Sequence, residues 1–180
     1  VTVGFHAVNG VSPGSILSML QGANDIWKPQ ANMGFSQSGE LRNVSVSGIG
    51  EDVDVALTAV ELSAEQSSIV AASTQTGSIN VYFVNRIKDA ALLPEKVVRG
   101  NAVQHGKGGS WFIFIAVAAG GNNSGTLAHE LGHTLGLPHT SESLRYRLME
   151  GSVETGVVRG TTITPEESLE ARKKAKEMSP

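Results

Sequence analysis

The apolar residues of this chain change their spacing as the chain proceeds, and the changes mark out its elements. From Val1 to Val8, Val1, Val3 and Phe5 fall at every second position, the spacing of a strand. Ser12-Pro13-Gly14 then opens a helix, with Ser12 as N-cap and Pro13 at the first helical position. Ile16, Leu17, Met19, Leu20, Ala23, Ile26 and Trp27 recur at helical spacing, and Pro29 predicts the helix end. Met33 to Ser47 reads as one strand or two, broken at Ser38-Gly39. Leu57 to Ala72 is ambiguous. Its Ser63-Ala64-Glu65-Gln66 resembles a helix start, so a second helix or an insertion between strands is expected. Ile79 to Ile87 is dense in β-formers and predicts a strand; Asp89 to Glu95, with Pro94, is a connection. Asn101 to His105 is a short, polar-edged segment followed by the glycine run 106–109, and Trp111 to Ala118 is the most buried strand. Gly120 to Gly125 is a loop, and a helix begins near Ser124 or Thr126. Thr164-Pro165-Glu166-Glu167 is a capping box that opens a final helix, whose thin apolar face is Leu169 and Ala175, joined by Met178.

The helix after the loop carries the chemistry. His129-Glu130-Leu131-Gly132-His133-Thr134-Leu135-Gly136-Leu137-Pro138-His139 reads H-E-x-x-H-x-x-G-x-x-H. Helical residues four apart share a face, about 6 Å apart along the axis. His129 and His133 can therefore aim ring nitrogens at one ion. Glu130 is rotated by about 100° from His129, beside the ion, where a general base for water belongs. Gly136 tolerates the left-handed conformation that ends helices, Pro138 discourages further helix, and His139 can return as a third ligand. Three imidazoles leave the fourth tetrahedral position of one Zn²⁺ open, which is the layout of a catalytic site. A structural site would need a closing ligand, and His105 or Glu150 are the candidates.

Composition narrows the rest. The chain has 180 residues, enough for one domain or for a large and a small lobe around one cleft. A net charge of −3 gives no reason to expect nucleic acid or an anionic membrane as partner. The longest apolar run, Trp111 to Ala119, falls far short of the roughly 18 residues that span a bilayer. Without cysteine there is no disulfide and no thiolate ligand. Glu51, Asp52 and Asp54 form an acidic cluster, a calcium site or, preferred here, a solvated turn. The Arg172-Lys173-Lys174-Lys176 run is read as a solvated helix face rather than a nucleic-acid patch. His6 is read as structural or exposed. The chain starts at Val1 without a signal segment, so a mature or trimmed piece of a secreted or extracytoplasmic protein is expected.

The eleven motif residues, with Leu148-Met149-Glu150 following so that Met149 lies ten residues after His139, resemble the signature of the metzincin clan of zinc metallopeptidases. The resemblance implies that Met149 is a buried thioether under the zinc and not a ligand; an ordinary core methionine is the other reading. It implies an α+β fold: a twisted, mixed five-stranded sheet backed by two helices, one of which carries the zinc motif. A small C-terminal lobe would add a methionine turn and a closing helix. Residues 1–180 would be a single catalytic domain, with an upper lobe of about 1–136, a lower lobe of about 137–180 and the active-site cleft between. The strand matching the family's cleft edge is Asn101, Ala102, Val103, Gln104 and His105, where an extended peptide would pair antiparallel. Gly151 to Thr162 would wall the pocket beyond the scissile bond. The implied activity is that of a zinc endopeptidase, with Glu130 as base and one Zn²⁺ on His129, His133 and His139. A protein or peptide substrate is the expected partner, and a monomer the expected state. The alternative is a peptide-binding module that keeps fold and zinc but cleaves nothing. Two positions depart from the pattern. Thr140 matches no subfamily after the third histidine, and Gly151 stands where some members place a tyrosine near the zinc.

Overall fold

The computed structural model describes residues 1–55, 61–89, 98–105, 110–121, 123–140, 146–151 and 160–178. Among these the elements run β1 (Thr2–Val8), α1 (Ile16–Ala31), β2 (Ser36–Gln37), β3 (Arg42–Val44), β4 (Asp52–Asp54), α2 (Ala64–Ala72), β5 (Ile79–Val84), β6 (Arg86–Lys88), β7 (Gly100–Gln104), β8 (Trp111–Ala116), α3 (Ser124–Thr134) and α4 (Pro165–Met178). The connection around Pro94, the glycine run 106–109 and most of the 151–162 stretch lie outside the described residues.

The main sheet is five strands wide, in the order β2-β1-β5-β8-β7. β2 and β3 lie on the same edge of β1, at Thr2–Val3 and His6–Val8 respectively, so they are two halves of one broken strand. All pairings are parallel except β7 with β8. The mixed sheet of an α+β fold expected from the sequence is therefore present, with four helices among the described residues. Strands buried on both faces read as continuous apolar runs, which β5 (INVYFV) and β8 (WFIFIA) do. Alternate residues still go to different cores. Ile79, Val81, Phe83, Ile113 and Ile115 pack under α1 and α3, whereas Tyr82, Val84, Phe112 and Phe114 join Ile69 of α2 on the opposite face.

α1 and α3 pack closely. A carbon added at Gly22 would collide with Ser124, so glycine permits the approach. Trp27 is fully buried and donates from Nε1 to the Ala128 carbonyl at 3.1 Å. Burying such an indole contributes about 3 kcal/mol, and the hydrogen bond fixes its orientation.

Several local expectations need correction. α1 starts at Ile16, capped by Ser15, whose hydroxyl accepts from the Ser18 amide at 3.2 Å. Gly14 has φ +76°, a left-handed conformation that cannot lie inside a helix, so Ser12 and Pro13 stay outside. Pro29 does not stop α1. It lacks only the one amide bond near the helix end, and the helix runs to Ala31 before Asn32 closes it at φ 49°. The acidic stretch is strand β4, paired parallel with β6 rather than a turn. Arg86 donates to Asp52 and Glu51 at 2.6 and 3.0 Å, so two of its carboxylates face a guanidinium. In α4 the capping box is present, with the Thr164 amide donating to Glu167 at 2.8 Å. Its buried stripe, however, is Ser168, Ala171 and Ala175, and Leu169 is 64% exposed. The Ser168 hydroxyl donates to the Gln30 carbonyl at 2.8 Å, which sets the rotation of the helix and turns Leu169 outward.

Candidate metal centre

The H-E-x-x-H segment is helical because both ends are capped. The Asn123 side chain accepts from the Thr126 amide at 2.8 Å. At the other end the Leu137 amide donates to the Gly132 carbonyl at 3.1 Å and the Gly136 amide to the His133 carbonyl at 3.0 Å. These two bonds, with Gly136 at φ +83°, make a Schellman turn. The turn sends the chain back beneath the helix, and His139 follows.

The three histidines converge. Their Nε2 atoms form a triangle: His129 to His133 at 3.1 Å, His133 to His139 at 3.1 Å, and His129 to His139 at 3.3 Å. His129 is buried, His133 half-buried and His139 exposed, so the triangle opens to solvent on one side. The far ring nitrogens decide what the near ones can do. His129 Nδ1 lies 2.8 Å from the Leu148 carbonyl and His133 Nδ1 lies 2.8 Å from the Leu137 carbonyl. A carbonyl only accepts, so both rings carry the proton on Nδ1 and turn the Nε2 lone pair toward the triangle. Lone pairs held this close repel one another unless a cation sits among them. A tetrahedral ion with Zn–N bonds of 2.0–2.1 Å would space its nitrogens by about 3.3–3.4 Å, close to the observed triangle. The donor set thus fits zinc. Among the described residues no other group of three or more His, Asp or Glu residues is gathered for a metal.

Glu130 is buried, 4% exposed, one residue along the helix from His129. Its carboxyl lies against Gly100 at the start of β7. Met149 is fully buried under the helix, where a carbon added at Gly132 would come within 2.5 Å of its sulfur. The Thr140 amide donates to the Met149 carbonyl at 2.9 Å, and a carbon at Gly151 would meet the His139 ring at 2.9 Å. The chain around Met149 is braced from α1 and α4. The Leu148 amide donates to Thr162 at 2.8 Å, Gln30 holds Thr161 and Ile163, and Arg147 pairs with Glu167 at 2.7 Å.

β7 overlaps the segment expected as a strand, beginning one residue earlier and ending at Gln104. Asn101, Ala102, Val103 and Gln104 lie in it, and His105 is exposed just beyond, its amide donating to Ser110. The Ala116 amide donates to Arg99, so Arg99, Asn101, Val103 and His105 turn their backbone groups toward β8. Gly100 and Ala102 turn theirs to the other side, where no described strand pairs with them. Neither His105 nor Glu150 joins the histidine triangle. Sequence reading missed Gly100, Gly132 and the two carbonyl acceptors, because a close approach to glycine and a backbone oxygen leave no residue-type signal. Arg147 and Glu167 were visible as charges but not as a pair.

No protein-family profile matches the sequence, and no curated protein matches it. Solved structures do match its fold. One is archaemetzincin from Methanopyrus kandleri, with a TM-score of 0.65 at 15% identity, covering 97% of this chain and 95% of that one. Another is metalloproteinase-II from Bacteroides fragilis, with a TM-score of 0.55 at 14% identity, covering 96% of this chain and 52% of that one, so this chain spans about half of it. The fold is metzincin-like, as the motif residues led one to expect.

Proposed function

We propose that the chain is a zinc endopeptidase acting on an extended protein or peptide. The observation that carries this is the triangle of converging Nε2 atoms, with the buried carboxyl of Glu130 next to His129 in the helix. His129, His133 and His139 would hold one Zn²⁺, and Met149 would form the floor beneath it. When bound, such an ion lowers the pKa of water toward neutrality and polarises a carbonyl. The protein's own part is to hold the ligands and the base. The Leu148 and Leu137 carbonyls keep two rings in the ligating tautomer. Glu130 takes a proton from the attacking water and passes it to the leaving amine. The outward backbone groups of Gly100 and Ala102 pair with the substrate main chain, antiparallel, which lays a peptide across the base. The cleft would lie between this strand and the described residues 137–140 and 146–151 that follow the helix.

The test is a peptide-library cleavage assay on the wild type and Glu130→Gln, with zinc quantified in both. Cleavage by the wild type, lost in Glu130→Gln with zinc retained, is expected. Unchanged cleavage in the variant would overturn the assigned base. Peptide binding without cleavage by the wild type would leave a zinc-containing recognition module.

A further inference from the structure

We propose that Gly100 is a positioning residue for the Glu130 carboxyl, an assignment whose catalytic meaning rests on the peptidase reading above. A carbon added at Gly100 would lie 2.5 Å from Glu130 Oε1 and 2.8 Å from both Cδ and Cγ. Real side chains do not approach so closely. Contact with the terminal oxygen alone could be relieved by a small rotation, but contact with Cγ as well requires the whole side chain to move. Glu130 is only 4% exposed, so there is little space to move into. The absent side chain at Gly100 is therefore the recess in which the carboxyl lies.

The position in β7 gives this recess its meaning. Gly100 faces α3 with its side-chain direction and faces the unpaired edge with its backbone groups. One residue thus sets both the place of the base and the first rung on which a peptide main chain would lie. No left-handed backbone explains a glycine here, because Gly100 is not among the residues with positive φ. In an extended strand, alanine is ordinarily as good as glycine or better. The demand for glycine comes from Glu130.

The contact between Gly100 and Glu130 fixes the sign of a double-mutant cycle. Gly100→Ala, Glu130→Ala and the double variant are prepared with zinc bound, and their thermal midpoints are compared. Gly100→Ala is expected to lower the midpoint by about 3 °C or more when Glu130 is present. In the Glu130→Ala background the same change is expected to cost nothing or to raise the midpoint. On a peptide that the wild type cleaves, Gly100→Ala is expected to lower kcat about 10- to 100-fold, with KM and zinc content unchanged. If Gly100→Ala does not fold but the double variant does, the inference stands. Equal midpoint losses in both backgrounds, failure of both to fold, or an effect confined to KM would overturn it. If the wild type cleaves no peptide, the peptidase reading falls, while the midpoint cycle still decides whether Gly100 sets Glu130.

Discussion

On the α2 face of the sheet, His6 donates from Nε2 to Asn80 Oδ1 at 3.1 Å, stacks on Tyr82 with ring centroids 4.7 Å apart, and keeps Nδ1 bare in the interior. In the α3 region His129 and His133 do the reverse, with Nδ1 on a carbonyl and Nε2 turned to the other histidines. The ring is the same and the tautomer opposite. One bare nitrogen surrounded by aromatic rings is a core group. Three ring nitrogens within 3.3 Å of one another, open to solvent on one side, form a cluster that can hold a cation. What separates the structural histidine from the candidate ligands here is the direction of the second nitrogen, which the backbone fixes through the acceptor it offers.

The contrast can be broken most severely at the triangle. His133→Ala should abolish stoichiometric zinc binding and with it activity, whereas His6→Phe should leave zinc content intact; metal analysis of the two proteins decides. Glu130→Gln should keep zinc and lower kcat by about 10²- to 10⁴-fold. Next comes the brace behind His129. Arg147 and Glu167 are 14% and 17% exposed, between a buried pair and a surface one. Glu167→Gln should cost about 2 kcal/mol in urea unfolding. Because Arg147 adjoins the Leu148 carbonyl, it should also weaken zinc retention against a chelator, by about 10-fold.

His6 offers a subtler test. Burial pushes its imidazole below the ordinary 6.5, against the hydrogen bond to Asn80, and nearby Arg42 adds to the lowering. Above about pH 7 the ring is neutral in both folded and unfolded chains. As the pH falls through 6.5 the unfolded chain takes up a proton that the fold refuses, so stability declines until the folded value is passed. His6→Phe should therefore show a flatter stability slope than the wild type between about pH 7 and pH 5. The smallest effect is expected at Arg86, whose partners Glu51 and Asp52 are exposed. Arg86→Ala should cost under about 1 kcal/mol, and calcium should not change the wild type's melting midpoint.

The gathering of the three histidines was legible because a candidate ligand is a residue type at a spacing, and helix geometry turns spacing into direction. The sheet was legible in β5 and β8, whose apolar runs have few alternatives. Three kinds of feature were not. The start of α1 depended on the left-handed Gly14, and composition does not report φ. The buried stripe of α4 depended on Ser168 reaching Gln30, a contact 138 residues away in sequence. The recess at Gly100 depended on two elements meeting, and a lone glycine in a strand carries no mark of what lies across from it.

The Schellman turn at Gly136 has one more consequence. Its hydrogen bonds hold Leu137, and Leu137 in turn holds the His133 ring. Occupancy of the triangle and closure of the helix end are therefore linked equilibria, and each must favour the other by the same free energy. The Leu137 amide proton, whose exchange requires that turn to open, becomes a clock for the metal. Its exchange with solvent deuterium should slow in proportion to zinc saturation, reporting the state of the site from a backbone atom that never touches it.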